Sequence, residues 1–273
     1  MIRMTIPLGL KAGTEPIQLH DRLQHQPDVF EFYLNEYDVS GDGLKRLSDE
    51  IDEVKDTTKK IVLHHPMKVG EQSVELDVSE VADPNLYRFV RESTETLIQL
   101  AKDKSIQALI HGSYNQQTPT IIAKYANFDE AQSALFNRMD YYQKYGQNNV
   151  MFENSISDLF YFGSEEMDRF ILQKGYRLAF DTSHAFIKQS GSNADLQASL
   201  KRLMPNIVHY HLVDSMGKFH DSLTLGKGKI DWKQAYPLLN PDATSIYEID
   251  LVDQNDCREM LESHDYLQNL IEK

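Results

Sequence analysis

The sequence has very little cysteine: Cys257 is the one thiol among its 273 residues. A single cysteine cannot form an intramolecular disulfide, and no second Cys or His stands close to it in the sequence. We therefore expect no disulfide and no functional role for this thiol.

Long apolar runs are also lacking. No stretch approaches the 18 or so consecutive apolar residues of a membrane-spanning helix, and the N-terminus "MIRMTIPLGL" has no long apolar segment before a cleavage site. No Walker-type P-loop or dinucleotide fingerprint occurs either. These absences predict a soluble cytoplasmic protein that has no membrane partner and no nucleotide cofactor.

Positive charge is scarce. The chain has 28 Lys and Arg residues against 42 Asp and Glu residues, which gives a formal net charge of -14. Such a balance repels the phosphate backbone of nucleic acids at long range. The composition therefore disfavours nucleic acid as a partner.

Eight short apolar runs rich in β-branched and aromatic residues predict eight strands. They are residues 4–10, 29–35, 60–66, 108–114, 149–155, 176–185, 207–215 and 245–251. Helical spacing of apolar residues fills the segments between them, for example in residues 84–104, whereas the first helix, in residues 16–25, is short. No linker or change of composition divides the chain. We therefore predict an α/β protein with a single (β/α)8 TIM-barrel domain over residues 1–273, in preference to a doubly wound sheet.

Metal-ligand side chains stand late in these strands, where the active face of a barrel lies. They are Glu31 or Asn35, His64, His111, Glu153, Asp181 with His184, His211 and Glu248. Each residue alone has an ordinary explanation as a solvated, ion-paired or core side chain. Together they indicate a bound cation, because several buried carboxylates at one rim are costly unless they are paired or coordinated.

The two-residue period of a strand indicates which of these side chains converge. It places Met151 and Glu153 on one face of "NVMFENS", and it groups His209 with His211 in "VHYHL". Glu153, Asp181 and His211 are then expected to point into the barrel mouth. His209 lies one layer deeper, where we expect it to pack in the core or support a ligand and not to bind the cation itself.

Several motifs resemble the xylose-isomerase-like barrel superfamily, which includes sugar isomerases and epimerases and the endonuclease IV family. They are "ENS" at Glu153, "DTSH" at Asp181, "HLVD" at His211, "GKGKIDW" from Gly226 and "YEID" at Glu248. With the histidine motifs of strands three and four, the likeness extends from strand three to strand eight. Dimers and tetramers are common in that superfamily, so the resemblance implies a homo-oligomer, although no residue identifies the pairing surface.

The ketose epimerase branch implies one divalent metal held by a Glu, an Asp, a His and a Glu from strands five to eight. The matching residues here are Glu153, Asp181, His211 and Glu248. The resemblance further implies that the two glutamates act as acid and base on opposite faces of the sugar. It also implies that the His three residues after the Asp, here His184, contacts substrate oxygens.

The nuclease branch implies three zinc ions. His64 and His111 resemble the two histidines that complete its first site with Glu153. Its third site needs an Asp-x-His ahead of the G-x-G loop, and those two positions hold His220 and Ser222 in this chain. His64 and His111 are therefore also candidates for substrate contacts or for half of a two-metal site.

Basic residues in the loop after strand seven are candidate substrate contacts. Enzymes of the epimerase branch often place a basic side chain six residues past the metal-binding His, but Gly217 stands there and Lys218 follows it. His220 and Lys227 are further candidates. The Gly-Lys-Gly at 226–228 offers backbone N–H groups to an anion, although a surface turn is the commoner explanation for such a pair of glycines.

These features favour metal-assisted proton transfer next to a carbonyl on a small carbohydrate-like substrate. The cation would polarise the carbonyl and hold the enediolate, and Glu153 and Glu248 would transfer the proton. The shell of oxygens with one imidazole suits Mn²⁺, Mg²⁺ or Co²⁺, and recruitment of His64 and His111 would favour Zn²⁺. A zinc phosphodiesterase of the nuclease type, a polyol dehydratase or lyase, and a barrel that only binds a ligand are the alternatives.

Overall fold

The computed structural model describes residues 6–114 and 118–272, in which eight parallel strands lie side by side in chain order. The strands are β1 Gly9–Ala12, β2 Val29–Tyr33, β3 Lys60–His64, β4 Gln107–His111, β5 Val150–Glu153, β6 Leu178–Asp181, β7 Ile207–Leu212 and β8 Thr244–Tyr247. A separate antiparallel pair is formed by Lys68–Val69 and Gln72–Ser73. The strands form a nearly closed barrel with helices outside, so the predicted (β/α)8 fold is confirmed.

Helices connect the strands, as parallel neighbours require. They are α1 Pro16–Leu23, α2 Gly41–Val54, α3 Pro84–Lys104, α4 Thr118–Ile122, α5 Phe128–Gly146, α6 Glu165–Lys174, α7 Thr182–Lys188, α8 Asn193–Leu203, α9 Trp232–Ala235 and α10 Arg258–Ile271. Short 3₁₀ turns lie at Gln147–Asn149, Met204–Asn206 and Tyr236–Leu238. None of the helices in the described ranges has the length and apolar character needed to cross a membrane.

The long helix α3 has the bounds that its apolar spacing predicted. Pro84 occupies its first turn, where the missing N–H leaves no hydrogen bond unmade. Val90, Leu97 and Ile98 are buried on one face. The helix ends at Lys104 because Ser105 takes a left-handed conformation with φ of 56°.

Side chains of the strands alternate between two apolar clusters, as the two-residue period predicted. Phe152 and Phe180 belong to the large cluster that packs against the helices. A small separate cluster contains Val62, Leu109, Met151 and Ala179, which come from four adjacent strands. This inner layer supports the polar groups at the carboxyl ends of the strands.

The first strand lies further along the chain than predicted. The sequence pattern placed it at residues 4–10, whereas β1 is Gly9–Ala12; Met4 and Thr5 lie outside the described residues. Pro7 has no N–H to donate to a strand ladder, which disfavours a strand centred on it. The correction is important for the site because Lys11 now lies within β1.

Gly9 lies where the first and last strands approach each other. A Cβ atom added to Gly9 would stand 1.8 Å from the backbone oxygen of Ser245 and 2.9 Å from Cα of Ile246. Only a residue without a side chain allows two backbones to come this close. Gly9 therefore permits the seam between β1 and β8 to close.

Substituting Gly9 by Ala should destabilise the protein by about 3 kcal/mol or more, because backbone atoms cannot move aside as a flexible side chain can. Urea denaturation measures this change. The matched control is Gly13→Ala, whose Cβ would meet the side-chain oxygen of Gln18 at 3.3 Å. Equal stabilities for the two variants would show that the seam is not close-packed.

Candidate metal centre

Four metal-ligand side chains come together at the carboxyl ends of four adjacent strands. Glu153 and Asp181 are the last residues of β5 and β6, His211 lies near the end of β7, and Glu248 follows β8 directly. The first three are almost completely buried, and the Glu248 side chain is 22% exposed. Parallel strands present these ends on the same side of the barrel, as the sequence analysis expected.

His211 lies between the two glutamates. Its Nδ1 is 3.0 Å from Oε1 of Glu153 and 2.6 Å from Oε2 of Glu248. With Asp181 included, one ligand atom from each of the four residues lies within 4.8 Å of the others. Opposite ligands of an octahedral cation with bonds of about 2.1 Å are ~4.2 Å apart. The four groups therefore have a spacing suited to one divalent cation.

Buried polar atoms with poorly aligned contacts also fit a cation at this position. Both carboxylate oxygens of Glu153 and Nδ1 of His211 are buried, and their contacts with neighbouring ionisable groups lack the geometry of well-aligned hydrogen bonds among the described residues. A buried carboxylate whose hydrogen bonds are poorly formed is costly, whereas coordination satisfies it. The donor set of Glu153, Asp181, His211 and Glu248, three carboxylates and one imidazole, suits Mn²⁺, Mg²⁺ or Co²⁺.

Electrostatic coupling within the cluster shifts the pKa of each group. Burial, together with Glu248 and Glu153, raises the pKa of Asp181 to about 7. Burial opposes ionisation of Glu153, but His111 and His211 outweigh it and hold the pKa of this carboxyl well below its usual range. Burial likewise disfavours the charged His211 ring, yet the surrounding glutamates raise its pKa well above normal. The cluster thus stabilises positive charge at its centre.

Glu31 lies one layer deeper and orients His211. Its Oε2 accepts hydrogen bonds from Nε2 of His211 at 3.0 Å and Nε2 of His209 at 3.1 Å. Because Nε2 of His211 is engaged, its Nδ1 faces Glu153 and Glu248. A carboxylate that fixes a ligating imidazole in this way is a common support of metal sites. His209 therefore contacts Glu31 below the four-residue cluster.

A second group of ligands shares Glu153. Nε2 of His64 and Nε2 of His111 are 3.1 Å apart, and they lie 3.6 and 3.0 Å from Oε2 of Glu153. Ligands of a tetrahedral zinc ion with bonds of 2.0–2.1 Å are separated by ~3.3 Å. Nδ1 of His64 donates to the backbone oxygen of His65 at 2.9 Å, which leaves the lone pair of the neutral ring on Nε2. The structure therefore brings these three residues together as a candidate second position.

His184 and His220 form a pair beside the cluster. Nδ1 of His184 donates to the backbone oxygen of Asn154 at 2.9 Å, so its Nε2 can accept from Nε2 of His220 at 2.8 Å. The hydroxyl of Tyr114 is 3.4 Å from the same nitrogen of His220. These polar groups converge next to Asp181 from helix α7, which carries His184, and from two loops, which carry Tyr114 and His220.

A cavity of about 670 Å³ opens above the cluster. Of the predicted site residues, its lining includes His64, His111, His184, His220 and Glu248. Glu153, Asp181 and His211 do not line it but lie beneath these side chains. Lys218 and Lys227, two of the predicted substrate contacts, are exposed and lie outside the lining.

The Gly-Lys-Gly segment wraps around an internal anion. The buried carboxylate of Asp214 accepts hydrogen bonds from the backbone N–H of Gly226 at 2.8 Å, from that of Ile230 at 3.1 Å and from Nε1 of Trp232 at 3.1 Å. A Cβ on Gly228 would lie 2.2 Å from Oδ1 of Asp214. Gly226 therefore donates a hydrogen bond to Asp214, and Gly228 lets the backbone pass close to it. These contacts with Asp214 hold the loop in place.

Three residues of the site were not identified from the sequence: Lys11, Tyr33 and Tyr114. All three line the cavity. Nζ of Lys11 contacts the carboxylate of Glu248 and lies 4.6 Å from the centre of the Tyr33 ring. A lysine inside the otherwise apolar stretch "LGLKAG" was the available signal, but the predicted first strand, residues 4–10, ended one residue before it.

Substituting Glu31 by Gln should weaken binding of Mn²⁺ by 10- to 100-fold, because a neutral amide holds the His211 ring less firmly and attracts the cation less. Isothermal titration of the metal-free protein with MnCl2 measures the affinity. Glu80→Gln, at an exposed position, is the control for removal of one negative charge. An unchanged affinity in Glu31→Gln would mean that His211 is oriented without Glu31.

The barrel is similar to those of several proteins of known structure. No protein-family model and no curated protein matches the sequence. The structure is similar to a D-tagatose 3-epimerase-like protein, with a TM-score of 0.67, 16% identity and coverage of 98% of this chain and 97% of that one.

Two further solved structures show the same likeness. The TTHB071 protein from Thermus thermophilus, which was soaked with ZnCl2, has a TM-score of 0.67 and 16% identity, with 97% of this chain and 98% of that chain covered. The 3-keto-D-glucoside 4-epimerase YcjR from E. coli has a TM-score of 0.62 and 11% identity, with 97% and 100% covered. At such low identity, these likenesses show the fold alone. The chain thus shares its (β/α)8 barrel fold with these proteins.

Proposed function

We propose that the chain is a divalent-metal-dependent isomerase or epimerase of a sugar or sugar derivative. The observation that carries this proposal is the convergence of Glu153, Asp181, His211 and Glu248 within 4.8 Å of one another at the carboxyl ends of the strands. Structural neighbours described as sugar epimerases support it. The activities of those neighbours are their own, and the residues of this chain must carry the chemistry here.

The four residues named above would hold one cation, for which Mn²⁺, Mg²⁺ and Co²⁺ are the best fits to the donor set. A bound divalent cation polarises a carbonyl oxygen, which makes the neighbouring C–H bond more acidic. Asp181 also caps helix α7: its Oδ1 accepts hydrogen bonds from the backbone N–H of His184 at 2.6 Å and from Oγ of Ser183 at 2.8 Å. These bonds fix its carboxylate at the site.

Glu153 and Glu248 are the proposed acid and base. Epimerisation needs one carboxylate oxygen to remove a proton and another group to return one to the opposite face of the same carbon. Oε1 of Glu248 points to Lys11 and Oε2 points to His211, and Glu248 lines the cavity. Glu153 reaches the site from the other side of His211. Two carboxylates on either side of one imidazole suit a transfer between opposite faces.

Polar side chains around the cavity would bind the substrate. The pair of His184 and His220, with the hydroxyl of Tyr114, offers ring nitrogens and an O–H group to sugar hydroxyls. The cavity volume of about 670 Å³ is within the range of small-molecule sites. A compound rich in hydroxyl groups matches this mixture of donors and acceptors.

A zinc-dependent phosphodiesterase is the second candidate. The triangle of His64, His111 and Glu153 favours it, because its edges of 3.0–3.6 Å match zinc coordination. Against it, the third zinc site implied by the nuclease branch needs a histidine where this chain has Ser222. The formal charge of -14 also disfavours a nucleic acid substrate.

Substituting Glu153 by Gln should abolish turnover, with a loss of at least about a hundredfold, because the amide cannot accept a proton from carbon. The measurement is exchange of solvent deuterium into ketoses, followed by NMR. Glu36→Gln, outside the cavity, is the control. Retained exchange in Glu153→Gln would remove the proton-transfer role assigned to this residue.

Elemental analysis of the protein, purified without added metal, should find about one manganese, magnesium or cobalt ion per chain, since the four residues offer three carboxylates and one imidazole to a single ion. Treatment with a chelator should then stop exchange, and the same ion should restore it. Two or more zinc ions per chain would instead show that the His64 and His111 position is filled. That result would make phosphodiester hydrolysis the leading function.

A further inference from the structure

Lys11 is an ammonium group within the candidate metal centre. It reaches from β1 across the seam to Glu248, which follows β8, and its Nζ also lies 4.0 Å from Oε1 of Glu31. Its side chain is only 12% exposed and lines the cavity. The first and last strands of the barrel are thus joined at the active face by a charged contact.

The Glu248 carboxylate is divided between two partners. Oε1 contacts Lys11, while Oε2 lies 2.6 Å from Nδ1 of His211. Glu248 stands just beyond the end of β8, where its backbone N–H makes a long contact of 3.4 Å with the oxygen of Leu212. The contacts with Lys11 and His211 therefore hold its two carboxylate oxygens in different directions. Glu153, by contrast, is surrounded by imidazoles.

We propose that Lys11 restricts Glu248 to a single oxygen, Oε2, toward the cation and keeps Oε1 at the cavity for proton transfer. A carboxylate that faces a cation alone can bind it through both oxygens. The ammonium group prevents this by occupying Oε1, and its charge repels the cation. Lys11 would therefore weaken cation binding. It would also keep Oε1 off the cation, and the second lone pair of that oxygen would stay available for proton transfer. This inference rests on the proposed function for its catalytic part only.

Lys11 keeps its charge under ordinary conditions. Burial lowers the pKa of its ammonium group, but Glu248 and Glu31 outweigh burial and raise the pKa above the usual value. An ammonium group that positions Glu248 is what the geometry supports.

The test compares Lys11→Met with the wild-type protein in two measurements. Titration of the metal-free proteins with MnCl2 should show an affinity at least about tenfold higher in Lys11→Met, because a nearby positive charge is lost and both Glu248 oxygens become available. Exchange of solvent deuterium into D-tagatose and D-fructose should fall at least about tenfold in kcat. Tighter cation binding with slower turnover is a combination that simple structural damage would not produce.

Lys60→Met is the matched control, because Lys60 is the exposed first residue of β3 at the opposite end of the barrel. It should change neither measurement. An unchanged or lower Mn²⁺ affinity in folded Lys11→Met would overturn the inference. If Lys11→Met does not fold, Lys11→Gln makes the same comparison, since it also removes the charge.

The two measurements separate this inference from the proposed function. If wild-type protein exchanges no deuterium into any ketose, the proposed function fails. Tighter Mn²⁺ binding in Lys11→Met would still support the inference that Lys11 keeps Oε1 of Glu248 away from the cation. If wild-type protein is active but Lys11→Met keeps full activity and ordinary Mn²⁺ affinity, the inference about Lys11 fails and the proposed function stands.

Discussion

The burial of several carboxylates at the barrel mouth is the constraint on which the site depends. Glu31, Glu153 and Asp181 are almost completely buried, and Glu248 is only partly exposed. Lys11 supplies one full positive charge within this group. An uncompensated buried carboxylate costs several kcal/mol, so a fold that brings four together needs more positive charge than one lysine provides. The protonation of His211, the protonation of Asp181 and the binding of a cation are three ways to meet the same need.

Histidine rings convert this constraint into a defined geometry. In each of three rings, one nitrogen is engaged by a fixed acceptor: the backbone oxygen of His65 for His64, that of Asn154 for His184, and the carboxylate of Glu31 for His211. The other nitrogen then faces the site. Because an imidazole has two distinct nitrogens, the acceptor behind the ring decides which one is presented. The hydrogen bonds behind the three rings therefore determine which histidine nitrogen atoms face the site.

The sequence was sufficient to predict the barrel and the convergence of β5 to β8, because strand alternation and chain order follow from local patterns. Helix α3 was predicted at its observed bounds for the same reason. Two features depended on contacts between distant segments and could not be predicted. Lys11 lies beside Glu248 because Gly9 and Ser245, which are far apart in the chain, approach each other closely at the seam. The Gly-Lys-Gly segment binds the carboxylate of Asp214, and this contact forms only when the loop between them folds back.

The two candidate functions make opposite demands on Glu153. Its Oε1 faces His211, and its Oε2 faces His111 and His64. A cation bound at each position would engage both oxygens and leave neither free to accept a proton from carbon. Isomerase chemistry at Glu153 therefore requires the position at His64 and His111 to bind substrate atoms or water, whereas hydrolysis with two metals requires it to bind an ion. The choice between the reactions thus depends on what Oε2 of one buried carboxylate contacts.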